Sequence, residues 1–308
     1  MLRAFFIALS ENKPLRHFSE KSSLGRKLSR RFVAGTTVED CLQATSTVNQ
    51  LGMSVSVDNL GENVTNADEA RNSARLYHQM IEAVHDQKLN ANVSLKLTHM
   101  GLDVDESLAQ KITQGLLEKA IHLDTFVRVD MEGSSYTQRT LDLVYGLHKM
   151  PGCAGHIGAV IQAYMRRSEQ DVEQLLADRI RIRLCKGAYK EPDDIAFPDK
   201  RDVDANYIKL MKMLLKSGVF HGIATHDEKM IAATKEFAKQ EDIPPTAYEF
   251  QMLYGVRRDL QQQLVKEGYG VRIYIPFGTE WYPYFMRRLA ERPANAMFVL
   301  KNLFMEGS

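Results

Sequence analysis

Eight short β-rich runs, each followed by a stretch of helical periodicity, constrain this chain more than any other feature. They are MSVSVD (53–58), NVSLKL (92–97), FVRVDM (126–131), GAVIQAY (158–164), IRIRLC (180–185), HGIATH (221–226), AYEFQM (247–252) and VRIYIP (271–276). Parallel neighbours need a crossover, and a helix is its usual form, so the alternation predicts a parallel sheet. Eight repeats predict closure into a (β/α)8 TIM barrel, and 308 residues suit one such domain. An open doubly wound sheet is the rival arrangement. Residues 1–45 stand outside the rhythm and read as an N-terminal helical extension, leaving the barrel domain over 46–308.

The segments between the runs carry helix signals. Thr65 and Asp68 resemble a capping box, followed by Ala70, Ala74, Tyr77, Ile81 and Val84 at helical spacing. Asp105 and Ser168 are further candidate caps, and Gly218 and Gly268 suit helix ends. One connection, 186–202, is long, polar and holds two prolines, as lids and binding loops often are.

Composition excludes several classes. A net charge of +1 gives no reason to expect nucleic acid. Cys41, Cys153 and Cys185 are odd in number and widely spaced, which fits a reducing, cytoplasmic setting and no zinc site. The N-terminal AFFIAL is too short for a signal peptide's apolar core, and no run approaches the ~20 apolar residues of a spanning helix. That N-terminus reads as a packing helix or an interfacial one touching a membrane surface. GxGxxG, P-loop, HExxH and GxSxG patterns are missing, so Rossmann, Walker, zincin and nucleophile-elbow sites are not indicated.

Polar residues sit where a barrel keeps its chemistry, at the C-terminal strand ends. Asp58, Lys96, Asp130, Gln162, Arg183 with Lys186, Thr225-His226-Asp227 and Gln251 all finish their runs. Strand parity puts Arg128 with Asp130, and Arg181 with Arg183, on faces opposite their apolar neighbours. Those charged faces must point into the barrel, where they need partners. Either Arg128 and Arg181 form a structural ion-pair layer with Asp130 or Glu132, or they serve a site; for Asp130 and Arg183, nearest the strand tops, a functional role is expected. After the eighth run, Trp281, Tyr284, Arg287, Arg288 and Glu291 form one helical stripe. Such a stripe is either a solvated face with an Arg287–Glu291 pair or a face laid over the barrel mouth. Adjacent arginines suit a carboxylate, and Lys96 adds a third cation, so a small anionic substrate is expected.

The blocks DNLGE (58–62), SLKLT (94–98), VRVDMEGS (127–134), VIQAYMRRS (160–168), RLCKGAYKE (183–191), ATHD (224–227), EFQMLYG (249–255) and VRIYIPFGTEWYPYFMRRLAERPAN (271–295) follow one another in order. In these blocks the chain resembles the proline dehydrogenase family, in its stand-alone bacterial form, from about Gly35 to the C-terminus. The resemblance implies a distorted barrel that holds FAD without a Rossmann fold. It implies oxidation of L-proline to Δ1-pyrroline-5-carboxylate by hydride transfer to flavin N5, with electrons passing to a membrane quinone. By matching motif, Asp130 and Arg183 would be catalytic, with Arg183 near N5. Asp130 would equally serve as an orienter of Arg183 or Lys96. Met131, Gln162, Lys186, Gly187, Ala188, Thr225 and His226 would hold the cofactor. Lys96, Arg287 and Arg288 would bind the proline carboxylate. Tyr189, Leu253, Tyr274 and Tyr284 would enclose the ring, and Glu291 would pair with the arginines or bridge to cofactor-side groups. The rivals are a barrel folate reductase, a Schiff-base aldolase using Lys186, and a metal hydrolase using Asp58, Asp130, His226 and Asp227. Oligomeric state stays open.

Overall fold

A computed structural model describes Gly25 and residues 29–291, with Ala290 and Glu291 described by backbone alone. The expected N-terminal helix and most of the extension over 1–45 lie outside the described residues. The eight strands are β1 Ser54–Asn59, β2 Ala91–Leu95, β3 Val127–Val129, β4 Ile157–Gln162, β5 Arg181–Cys185, β6 His221–Ala224, β7 Tyr248–Leu253 and β8 Gly270–Phe277. They pair in parallel, in sequence order, and close into a barrel. β1 meets β8 in a six-residue register from Ser54 opposite Arg272 to Asn59 opposite Phe277, which sets the open-sheet rival aside.

Helix α1, Val38–Gln50, packs on β8 and β1, and the expected division at residue 45 falls inside it. The crossover helices are α2 Ala67–Asp86, α3 Glu106–His122, α4 Ser134–His148, α5 Ser168–Ala177, α6 Lys200–Lys216, α7 Glu228–Gln240 and α8 Arg258–Lys266; α9, Trp281–Glu291, follows the last strand. Two expected caps are displaced. Asn66, not Thr65, caps α2 by accepting from Glu69 N, while the Glu69 carboxylate reaches back to Thr65 N at 2.8 Å. The signal was right in kind and shifted by one residue, because Thr, Asn, Asp and Glu crowd that turn. Ser168 begins α5 without capping it, its hydroxyl donating instead to Met165 O at 2.7 Å. Asp105 caps α3 as expected, accepting from Ser107 N.

Parity holds through the barrel. Val55, Val57, Val93, Leu95, Val127, Val129, Ile182, Leu184, Phe250, Ile273 and Ile275 face the helices and form the main apolar core. The intervening positions face inward and carry the polar residues. At roughly 25 cal/mol per Å2 of apolar surface, the outer shell holds the fold together. The interior is then left for hydrogen bonds, which need every group satisfied. A smaller cluster unites Phe32, Val33, Leu60 and Val256 with the Trp281, Phe285 and Leu289 face of α9. Leu253 and Tyr274 pack against it, which seats α9 beside the ends of β7 and β8.

The long connection is anchored at several points. Met165 bridges Ala196, Ser134 N donates to the Glu191 carboxylate at 2.7 Å, and Arg166 Nε donates to Asp193 O at 2.9 Å. Among the described residues no helix is long and apolar enough to cross a membrane.

Candidate active site

Arg183 is the hub of the barrel interior. Its side chain leaves β5 and reaches four other strands. Nη1 donates to Asp130 Oδ1 at 2.7 Å and to Ser94 Oγ at 3.1 Å, and Nη2 to Ser56 Oγ at 2.9 Å. Nε donates to Gln251 Oε1, and the guanidinium lies 5.4 Å from the Tyr274 ring centre. A guanidinium has five N–H groups, so one, on Nη2, stays unspent. Alternation along β1 and β2 supplies Ser56 and Ser94, small residues that let so large a group lie flat across the barrel. Gly222 does the same for Gln251, since a Cβ there would collide with the carboxamide.

Asp130 links this hub to a second ion pair. Its Oδ1 also accepts from Ser94 Oγ at 2.6 Å, and its Oδ2 lies 3.0 Å from the Tyr274 hydroxyl. That hydroxyl is 2.5 Å from Asp58 Oδ2, which also accepts from Lys96 Nζ at 3.0 Å. Tyr77, from α2, lies 3.0 Å from Asp58 Oδ1 and 2.9 Å from Ser94 O. The result is two carboxylates and two cations joined through a phenol. Burial, followed by Asp130 and Asp58, raises the Tyr274 hydroxyl well above its ordinary range, so it stays protonated and donates. Burial works against the Lys96 ammonium, but Asp58, Asp130 and Glu62 outweigh it and hold the lysine charged.

The arrangement revises several expectations. Lys96 is tied to Asp58, leaving two of its three N–H groups for anything above it. The proposed structural layer of Arg128 or Arg181 against Asp130 or Glu132 does not form. Asp130 pairs with Arg183, and Glu132 accepts from Thr98 Oγ1 at 2.6 Å and Thr98 N at 3.2 Å. Arg128 and Arg181 sit one layer lower, where they line a chamber with Glu249 and Arg272. The expected aromatic-arginine stripe on α9 divides by contact. Trp281 packs edge-on against Phe285 at 5.7 Å, whereas Arg288 lies 4.9 Å from the Tyr284 ring centre. Arg287 faces Glu62 at 3.7 Å. The Glu291 side chain lies outside the described residues.

The other expected residues ring the strand tops. Met131 is buried, and Gln162 donates to Glu132 O at 2.9 Å, leaving its carbonyl oxygen unspent. Lys186 bridges Asp204 and Asp227, and with its amine engaged by two carboxylates it is poorly placed as a Schiff-base nucleophile. Gly187 has φ 109°, and a Cβ there would strike the Tyr164 ring, so only glycine lets the backbone pass. Ala188 and Tyr189 beyond it are exposed. Thr225 Oγ1 accepts from Asp227 N at 3.0 Å, and His226 Nε2 accepts from Leu253 N at 2.9 Å. With His226 and Asp227 so engaged, the four residues of the metal-hydrolase rival do not converge. Among the described residues no group of three or more His, Cys, Asp or Glu is placed to hold a metal.

Sequence reasoning missed Asp58, Glu62 and Tyr77 as members of this network. Asp58 ended its run in plain view but had no partner until β8 closed beside β1. Tyr77 lay in an apolar helical stripe and read as core, which its ring is. Only its hydroxyl enters the barrel.

Comparison with known proteins gives the family and the fold. The family model described as proline dehydrogenase matches residues 41–301. Proline dehydrogenase 1 of Bacillus subtilis is 43% identical over 304 residues, covering 98% of this chain and 99% of that one. Proline dehydrogenase of Deinococcus radiodurans is 41% identical over 279 residues, 90% of each chain. Among solved structures, proline utilization A from Bdellovibrio bacteriovorus, inactivated by N-propargylglycine, superposes with a TM-score of 0.82 at 25% identity. That match covers 94% of this chain and 36% of the longer one.

Proposed function

The chain belongs to the proline dehydrogenase family, and from that premise we propose that it oxidises L-proline to Δ1-pyrroline-5-carboxylate with FAD as its resident cofactor. A membrane quinone is the proposed electron acceptor, which would bring the enzyme to the cytoplasmic face of the membrane as a peripheral protein. The observation that carries the reading is the Arg183 hub, a buried guanidinium held by four strands with one N–H unspent.

The residues at the strand tops fit a flavin. The loop at Gly187 presses closely on the Tyr164 ring, Gln162 spends its amide on Glu132 O and keeps its carbonyl oxygen, and Lys186, Thr225 and His226 follow the ends of β5 and β6. Met131 and Ala188 complete the proposed cofactor-side set. FAD would supply the two-electron acceptor for the hydride leaving the ring carbon beside nitrogen. Arg183 would stabilise the negative charge that reduction brings, and Asp130 would position it. Preorganised donors of this kind act strongly because they need not reorient. Lys96, Arg287 and Arg288 would fix the substrate carboxylate, and so the reacting carbon. Tyr189, Leu253, Tyr274 and Tyr284 would wall off water around the ring.

The visible spectrum of the purified protein tests cofactor and substrate together. Flavin absorption near ~450 nm that bleaches on adding L-proline is the expected result. A colourless protein that FAD cannot reconstitute, or a flavin that proline leaves oxidised, would falsify the reading.

A further inference from the structure

Below the Arg183 layer the barrel floor holds a second polar chamber, partly open to solvent. It has a volume of about 50 Å3 and is lined by Arg128, Arg181, Arg272, Glu249, Asn92 and Phe126, with Arg183 and Gln251 as its roof. Its charges do not balance. Arg272 pairs with Glu249, Nε to Oε1 at 2.6 Å, and that carboxylate also accepts from Gln251 Nε2 at 2.7 Å. Arg128 and Arg181 have no carboxylate partner among the described residues.

Arg128 is 5% exposed, yet among the described residues only its Nη1 is bonded, to Ala159 O at 2.8 Å and Arg181 O at 2.6 Å. Its Nε and Nη2 are left over. Among the described residues the Arg181 guanidinium makes no hydrogen bond, and it rests over the rings of Phe126 at 5.4 Å and Phe220 at 5.9 Å. An unanswered Arg128 guanidinium buried inside a barrel is costly, and the half-buried Arg181 charge beside it adds repulsion. The chain nevertheless makes room for them. A Cβ at Gly158 would lie 2.6 Å from Arg128 Nη1 and would also strike Arg181 O. Burial, with Arg183 adding to it, lowers the Arg128 pKa well below the ordinary arginine value, as expected where positive charge is in excess.

We infer that this chamber binds one small monovalent anion of halide size, which in chloride-containing solution is chloride. One water needs about 10–15 Å3 of such space, so the chamber takes one halide-sized ion together with a few waters. The unspent donors of Arg128 and Arg181 supply its coordination, and the phenyl rings beneath Arg181 hold that guanidinium in place. The ion sits on the floor side of the Arg183 hub, apart from the strand-top site.

The test follows thermal unfolding of the full chain, with whatever cofactor it carries, in chloride–gluconate mixtures of fixed ionic strength. The midpoint should rise saturably with chloride. Arg181→Gln should raise the half-maximal chloride concentration at least tenfold. Asn92→Asp, which puts a carboxylate beside Arg272, should abolish the response while stabilising the protein in gluconate; it serves if Arg181→Gln does not fold. Crystals soaked in bromide should show anomalous scattering in the chamber. Equal midpoints in chloride and gluconate overturn the inference, as does a chloride response that both variants retain. A bromide peak without a saturable response in solution means an adventitious ion only, and also overturns it.

Discussion

The barrel interior holds two charged layers built on the same strand parity, and they treat charge differently. At the strand tops Asp58 and Asp130 answer Lys96 and Arg183 one for one, with Tyr274 and Tyr77 filling the remaining lone pairs. One layer down, Glu249 is the one carboxylate among the described residues that faces Arg128, Arg181 and Arg272. A balanced layer is rigid because each group depends on its partners. An unbalanced one is either costly or completed by something from outside. Removing single groups from each layer therefore separates them.

The largest effect belongs to Asp58→Ala. It strands the Lys96 ammonium and takes an acceptor from both Tyr77 and Tyr274. Breaking one side of a buried pair costs about 3–5 kcal/mol. The urea midpoint should fall accordingly with an unchanged slope, and Asp58→Ala/Lys96→Met should recover most of the loss. Arg181→Gln on the floor, by contrast, should change stability in gluconate by about 1 kcal/mol or less in either direction, because lost cation–π contacts and relieved repulsion oppose each other. Equal losses in the two layers would end the distinction between them.

Arg183→Lys comes next. The charge survives, but a lysine cannot make the four directed bonds of the guanidinium. Turnover of proline with a dye acceptor should drop on the order of a hundredfold, about 2.7 kcal/mol, with a much smaller change in stability. If the main loss is stability, the hub is structural and the proposed role fails.

How much of this could be read in advance depended on range. The eight strands and most helices were legible because period and parity are local. The inward face of Arg128, Asp130, Arg181 and Arg183 followed from alternation alone. Their partners did not, because partner choice is set by closure. The Arg183–Asp130 pair spans β5 and β3, Lys96–Asp58 spans β2 and β1, and Arg272–Glu249 spans β8 and β7. No periodicity in one segment encodes which layer of another it will meet. The arginine stripe of α9 was legible as unusual, while the Glu62 that Arg287 faces sits in a loop after β1, more than two hundred residues earlier in the chain.

The last effect, small per pH unit, reads the floor's positive charge through a neighbour. His221 begins β6, where Ile182 N donates to its Nδ1 at 2.9 Å and its Nε2 lies 3.0 Å from Ser217 Oγ. Burial, then the Arg128 charge, pushes its pKa down to about 3. The native imidazole is therefore neutral, while the unfolded one titrates near ~6.5. Because the folded value is the lower one, His221's contribution is intact above pH ~6.5 and is lost as pH falls from there toward about 3. One proton contributes at most about 1.4 kcal/mol per pH unit in that window. His221→Asn should flatten the acid limb of the stability–pH curve by up to that slope, whatever it does at neutral pH. Chloride should make the limb of the original protein shallower, since an anion beside Arg128 offsets the charge that opposes His221 protonation. An acid limb that chloride leaves unchanged, in a protein whose neutral-pH stability it raises, would place the anion away from Arg128.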